Sequence, residues 1–141
     1  MNDAVRGELK GYEVGDEPCA RLLGSRLLES DPDPGRVRLS YEAGDAFCNP
    51  AGVVQGGFVA AMLDQTMFMA GIARLGPGFL LPTLEFKVSY LAPVLPGRLF
   101  GAGRIVRAGR RTLFLEAELS TADGELLATA SATARIRARS A

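Results

Sequence analysis

The chain has 141 residues, enough to bury a core as one domain, and 48% hydrophobic against 23% charged residues mark it as globular. Its 16 basic residues balance 16 acidic ones, which excludes a polybasic coat for nucleic acid or an anionic membrane. No histidine is present, and the two cysteines, Cys19 and Cys48, lie far from a CxxC spacing; a zinc site and a disulfide framework are excluded.

Residues 1–16 read as a polar N-terminal arm of mixed charge, and residues 17–141 as a single domain. The arm has no apolar stretch of the secretory type, so a cytoplasmic location with reduced thiols is expected. "PCARLLG" predicts a short helix, with Pro18 at its start and Gly24 at its end. "DPDPG" is a turn signal, and "RVRLSY" after it alternates Val37, Leu39 and Tyr41 against Arg36, Arg38 and Ser40. That period of two predicts a hairpin with one wet face.

"GDAFCNPAGVVQGG" is a loop, and a long helix follows from Gly56 or Gly57 to about Ala73, ended by "RLGPG". The helix is apolar nearly all round, so both of its faces should be covered. Val53 to Ala73 is long enough to span a bilayer, but Asp64 would sit near its centre, at about 2.5–3.5 kcal/mol. It reads as a buried helix of a soluble protein, with no membrane partner.

The remainder alternates like strands. "LLPTLEFKVSYLAP" sets Leu84, Phe86, Val88 and Tyr90 on one face and Glu85, Lys87 and Ser89 on the other. "VLPG", "GRR" and "DG" read as turns separating "RLFGAGRIVRA", "TLFLEAELSTA" and "ELLATASATARIRARS". Short turns imply that successive strands are antiparallel neighbours. The expected class is α+β, an antiparallel sheet wrapped around one long helix.

Four segments, "N-x-x-G-x-x-x-GG-x-x-x-x-x-x-D" from Asn49, "TLEFKVSYLAP", "PGRL-x-G-x-G-x-I-V-R-x-G-R-R" and "DGELLATASATARI", together resemble the hotdog-fold acyl-CoA thioesterases. The likeness spans about residues 20–137 and is greatest to the phenylacetate-pathway and 4-hydroxybenzoyl-CoA branch. It implies a hotdog fold of about six strands. It implies a homodimer or homotetramer, and hydrolysis of an aromatic or medium-chain acyl-CoA without metal or cofactor. The resemblance makes Asn49 a residue that positions substrate or water, Gly56 a backbone donor to the thioester carbonyl, and Asp64 the nucleophile or general base. Three positions depart from that pattern: Gln55 stands where the branch usually has His, Phe68 where Ser or Thr is frequent, and Ala92 where an Arg is usual.

The same residues carry a reading from physics alone. The first turn of a helix leaves N–H groups unpaired at its positive end. At Gly56 and Gly57 such donors could grip a developing oxyanion, or the glycines could serve only close packing. Asp64 is a carboxylate in mid-helix, so it lines a wet cleft or forms a structural ion pair. Gln55 cannot move a proton but can orient a thioester or a water. Gly57, Phe68 and Tyr90 are expected substrate contacts, although Phe68 suits the core better than an acyl-pocket wall. Arg107, Gly109, Arg110 and Arg111 form a turn able to hold CoA phosphates, or an ordinary solvated turn.

Gly56 and Asp64 are eight residues apart, about 12 Å along a helix axis. One helix cannot bring both to the same carbonyl, whereas two antiparallel copies can, so a site shared between subunits is expected. The rival to an enzyme is a non-catalytic acyl-thioester binding protein of the same fold. A hotdog dehydratase or hydratase usually needs a histidine and ranks below both.

Overall fold

Pro18 presets the backbone for the first turn of α1 (Pro18–Leu22), and Gly24, at φ 63°, turns the chain out of it. The computed structural model describes residues 17–140; the expected arm at 1–16 lies outside them. The predicted hairpin is β1 (Arg26–Asp31) and β2 (Arg36–Ala43), joined by a turn in which Asp31 Oδ1 accepts the Asp33 N–H at 3.0 Å. A 3-10 turn (Asp45–Phe47) then leads to α2 (Gly56–Leu75), which ends where Gly76 takes φ 93° and donates its N–H to Ile72 O. The strands β3 (Phe79–Leu80), β4 (Thr83–Tyr90), β5 (Gly97–Ala108), β6 (Thr112–Ser120), β7 (Leu126–Arg135) and β8 (Arg137–Ala138) complete the chain.

Six strands form one antiparallel sheet in the order β1-β2-β5-β6-β7-β4, curled around α2; β3 and β8 pair as a separate short ribbon. This is the expected hotdog arrangement. The inner face is built so that the helix can come close. Ala128, Ala130, Ala132 and Ala134 of β7 are buried beneath it. A Cβ at Gly103 of β5 would lie 2.8 Å from Thr66 O, so only glycine fits there. Tyr41 of β2, fully buried, shares a 2.7 Å hydrogen bond with Thr66 Oγ1, and Thr66 in turn donates to Met62 O. Loss of water pushes the Tyr41 hydroxyl far above its ordinary pKa, so it stays protonated and fixes α2 against the sheet.

Three expectations need correction. Strands β4 and β5 follow one another in sequence but are not neighbours: β4 pairs with β7, and β5 lies between β2 and β6. The "VLPG" segment is therefore a crossover. Val94, 2% exposed, anchors it by accepting the Val54 N–H at 2.8 Å beside the start of α2. Secondly, the run "LLPTLEFKVSYLAP" is not one strand, because Pro82 lacks an N–H and interrupts pairing between β3 and β4. Thirdly, α2 is not covered on every side. It is long and apolar enough to cross a bilayer, and most of it is buried by the sheet, but Gly57, Ala61 and Asp64 are exposed and Phe68 is half-buried. These four, spaced by four, three and four residues, form one open stripe.

Candidate active site

The N-terminus of α2 is held from two sides. Phe58 stacks on Phe47 with ring centroids 4.2 Å apart, and Gln55 N–H donates to Phe47 O. Gln55 is the N-cap residue and is exposed; its carbonyl accepts the Phe58 and Val59 N–H groups, and its side chain makes no cap. The N–H groups of Gly56 and Gly57 have no backbone acceptor among the described residues, so they remain available at the positive end of the helix. A Cβ at Gly57 would meet nothing within 4 Å, and one at Gly56 would lie 3.1 Å from Tyr90 Oη. Tyr90 donates its hydroxyl to Gly56 O at 2.7 Å, so the end of β4 is tied to the first turn of α2.

Asn49 supports this end from the loop. Its Oδ1 accepts the Ala51 and Val53 N–H groups at 3.0 and 3.3 Å, which closes the 49–53 turn. What remains for a substrate is its side-chain NH2.

Two turns along the helix, Asp64 lies on the open stripe. Its Oδ1 accepts a hydrogen bond from Thr83 Oγ1 at 3.2 Å. Burial on one side pushes the carboxyl above its ordinary value near 3.8, and the Thr83 bond opposes this only in part. Asp64, Phe68, Leu81 and Thr83 line a cavity of about 310 Å³. Thr83 is a residue that sequence reasoning missed. Strand periodicity placed it on β4, but nothing local said that β4 begins over Asp64.

The arginine turn is a third location. Gly109 N–H donates to Thr112 O at 2.8 Å and closes the β5–β6 turn. Arg107, Arg110 and Arg111 are exposed, and none forms an ion pair among the described residues. A shallow depression of about 490 Å³ surrounds residues 109–112. Leu115, which lines the Asp64 cavity, is three residues further along β6, about 10 Å from Thr112.

Within one chain, then, Gln55, Gly56, Gly57 and Tyr90 meet at one end of α2, and Asp64 and Phe68 meet Thr83 about 12 Å away. The edge strand β4 connects the two places, with Tyr90 at the amide end and Thr83 at the carboxylate end.

Comparison with known proteins agrees with this architecture. The profile described as "Thioesterase superfamily" matches residues 51–128. A solved structure from Ralstonia eutropha JMP134, named as a candidate thioesterase and phenylacetic acid degradation-related protein, is 40% identical. It superposes with a TM-score of 0.82, over 90% of this chain and 95% of the other. A candidate esterase of Saccharolobus solfataricus is 28% identical over 132 residues, which is 92% of this chain and 90% of the relative. A hypothetical thioesterase of Streptococcus pneumoniae TIGR4, solved with coenzyme A, shares the fold at 20% identity and TM-score 0.73, over 83% of this chain and 91% of the other. A match over more than half of the chain and a 40% identical relative of nearly the same length place it together: this chain belongs to the thioesterase superfamily.

Proposed function

We propose that the protein hydrolyses an acyl-CoA thioester to the free acid and CoA, with Asp64 as nucleophile or general base and the Gly56 amide polarising the carbonyl. The observation that carries this reading is the presence on one helix of two N–H groups without a backbone acceptor among the described residues and of a hydroxyl-held carboxylate on its open stripe. Solution of the Streptococcus pneumoniae relative with coenzyme A supports a CoA ester as substrate.

Two subunits supply one site. β4 is a sheet edge with Leu84 60% and Tyr90 54% exposed, followed by Leu91 at 55%, whereas the opposite edge, β1, is mostly polar. An apolar edge of this kind needs a cover, and a second β4 running antiparallel provides it. Pairing about the middle of the strand sets Thr83 of each copy opposite Tyr90 of the other. The Asp64 end of one helix then meets the Gly56 end of its partner, and the open stripe of α2 is covered.

In the reaction the Gly56 N–H, reinforced by the helix dipole, stabilises negative charge on the carbonyl oxygen. Asp64 attacks the carbonyl carbon, the C–S bond breaks with CoA leaving as thiolate, and water then cleaves the acyl–Asp64 anhydride to release the acid and restore the carboxylate. Alternatively Asp64 takes a proton from a water that attacks the carbonyl carbon, and the C–S bond breaks to give the acid and the CoA thiolate, which takes up that proton. Thr83 keeps one Asp64 oxygen oriented, Gln55 and the Asn49 amide orient substrate or water, and Gly57, Phe68 and Tyr90 border the acyl group. With no acidic partner among the described residues, Arg107, Arg110 and Arg111, on the turn shaped by Gly109, hold the CoA phosphates. The proposed location is the cytoplasm, where CoA esters are made and used.

The direct test is release of CoA thiol across a panel of acyl-CoA esters; an acyl-thioester binding protein would bind the esters and release none. Arg110→Ala with Arg111→Ala is expected to raise KM for CoA esters several-fold with kcat little changed. The effect should vanish with a short thioester lacking the nucleotide, because phosphate contacts far from the carbonyl bind ground and transition states alike. Equal effects on both substrates would remove the phosphate role.

A further inference from the structure

The cavity beside Asp64 holds a second carboxylate. Glu17 is the N-cap of α1, but its side chain makes no cap bond. It reaches across 48 residues of sequence instead, and its Oε2 accepts the Gln65 Nε2–H at 3.4 Å. Gln65 follows Asp64 on α2, is 8% exposed, and lines the same cavity as Glu17 and Asp64. Glu17 is half-buried. Its other oxygen, Oε1, has no hydrogen-bond partner among the described residues.

From this placement we infer that Glu17 sets acyl specificity, by accepting a hydrogen bond from a donor group, a hydroxyl or an ammonium, at the far end of the acyl chain. The inference rests on the thioesterase reading. An ionised carboxylate only accepts hydrogen bonds. A methyl end seated against it would strip water from Oε1 and return nothing, and a carboxylate end would face like charge as well. Arg139 also lines the cavity and carries the opposite charge, which would favour an anionic end. Arg139 is exposed, however, whereas Glu17 is half-buried, so solvent screens the guanidinium more than the carboxylate. Glu17 decides the sign.

The test compares kcat/KM for three CoA esters of one acyl skeleton, ending in methyl, hydroxyl or carboxylate. The hydroxyl-ended ester is expected to be favoured over the methyl-ended one by about tenfold or more, with the carboxylate-ended ester slowest. Glu17→Ala should bring the hydroxyl-to-methyl ratio to within about twofold of unity, and Glu17→Gln, which keeps an acceptor oxygen, should retain part of the preference. The ratio is internal to each preparation, so loss of folded protein does not alter it. Equal use of the esters by the native protein, preference for the carboxylate end, or an unchanged ratio in both variants would each overturn the inference. Cleavage of none of the three would instead overturn the thioesterase reading on which it rests.

Discussion

Replacing Asp64 by Asn should lower CoA-ester hydrolysis by at least about 10²-fold and leave the protein folded, with stability at neutral pH equal to or above that of the native chain. The loss follows from chemistry: the amide keeps an oxygen for the Thr83 bond but can neither attack a carbonyl nor take a proton. The gain in stability follows from linkage. Asp64 has its pKa raised in the fold, so the folded state holds that proton more tightly than the unfolded chain does. Its contribution is most favourable below the ordinary carboxylate value and declines as pH rises through the raised one. Asn removes the decline, so the difference in melting temperature should favour the variant at neutral pH and shrink on acidification. For the same reason kcat/KM of the native enzyme should rise with pH along a limb lying above the ordinary value near 3.8. Turnover by Asp64→Asn within about tenfold of native would contradict the assignment.

Gly56→Val should be nearly as damaging for a different reason. A Cβ at Gly56 would lie 3.1 Å from Tyr90 Oη and 3.2 Å from Cζ, so the Tyr90 ring must give by a few tenths of an ångström, and the γ-methyls of valine crowd it further. A branched side chain would also stand beside the amide that is to receive the carbonyl oxygen. Loss of one oxyanion donor typically costs about 10²–10³ in kcat. Gly57→Ala is the comparison, because its Cβ meets nothing within the chain, and a smaller loss is expected. Steady-state kcat for both variants, with folding checked by circular dichroism, distinguishes a working amide from a packing glycine. Near-native kcat in Gly56→Val would assign Gly56 to packing.

The elements of the fold were legible because each has a local cause. Period-two alternation in "RVRLSY", turn chemistry in "DPDPG", and the Ala, Met and Leu of α2 bounded by Gly76 all act over a few residues. The position of β4 was not legible, since a six-residue link can close a hairpin or cross a sheet, and only Val94 sinking beside Val54 decides between them. That single placement also concealed Thr83 and the tie from Tyr90 to Gly56, because both depend on β4 crossing α2. Asp64 was conspicuous as the one carboxylate in an oily run. Glu17 was not, because its bond to Gln65 spans 48 residues and follows no periodicity. The covering of the helix expected from composition holds within one chain except along the stripe of Gly57, Ala61, Asp64 and Phe68, which composition alone does not single out.

The shared site is tested most directly by mixing two inactive proteins, Asp64→Asn and Gly56→Val, under conditions of subunit exchange verified by tagged pull-down. In a two-fold dimer each hybrid holds one site with both lesions and one with neither. Random exchange makes half of the dimers hybrid, so hydrolysis should recover to about a quarter of the native rate. If hybrids form and the rate stays at that of the parents, Gly56 of one subunit does not act with Asp64 of the other, and the account of this active site is wrong.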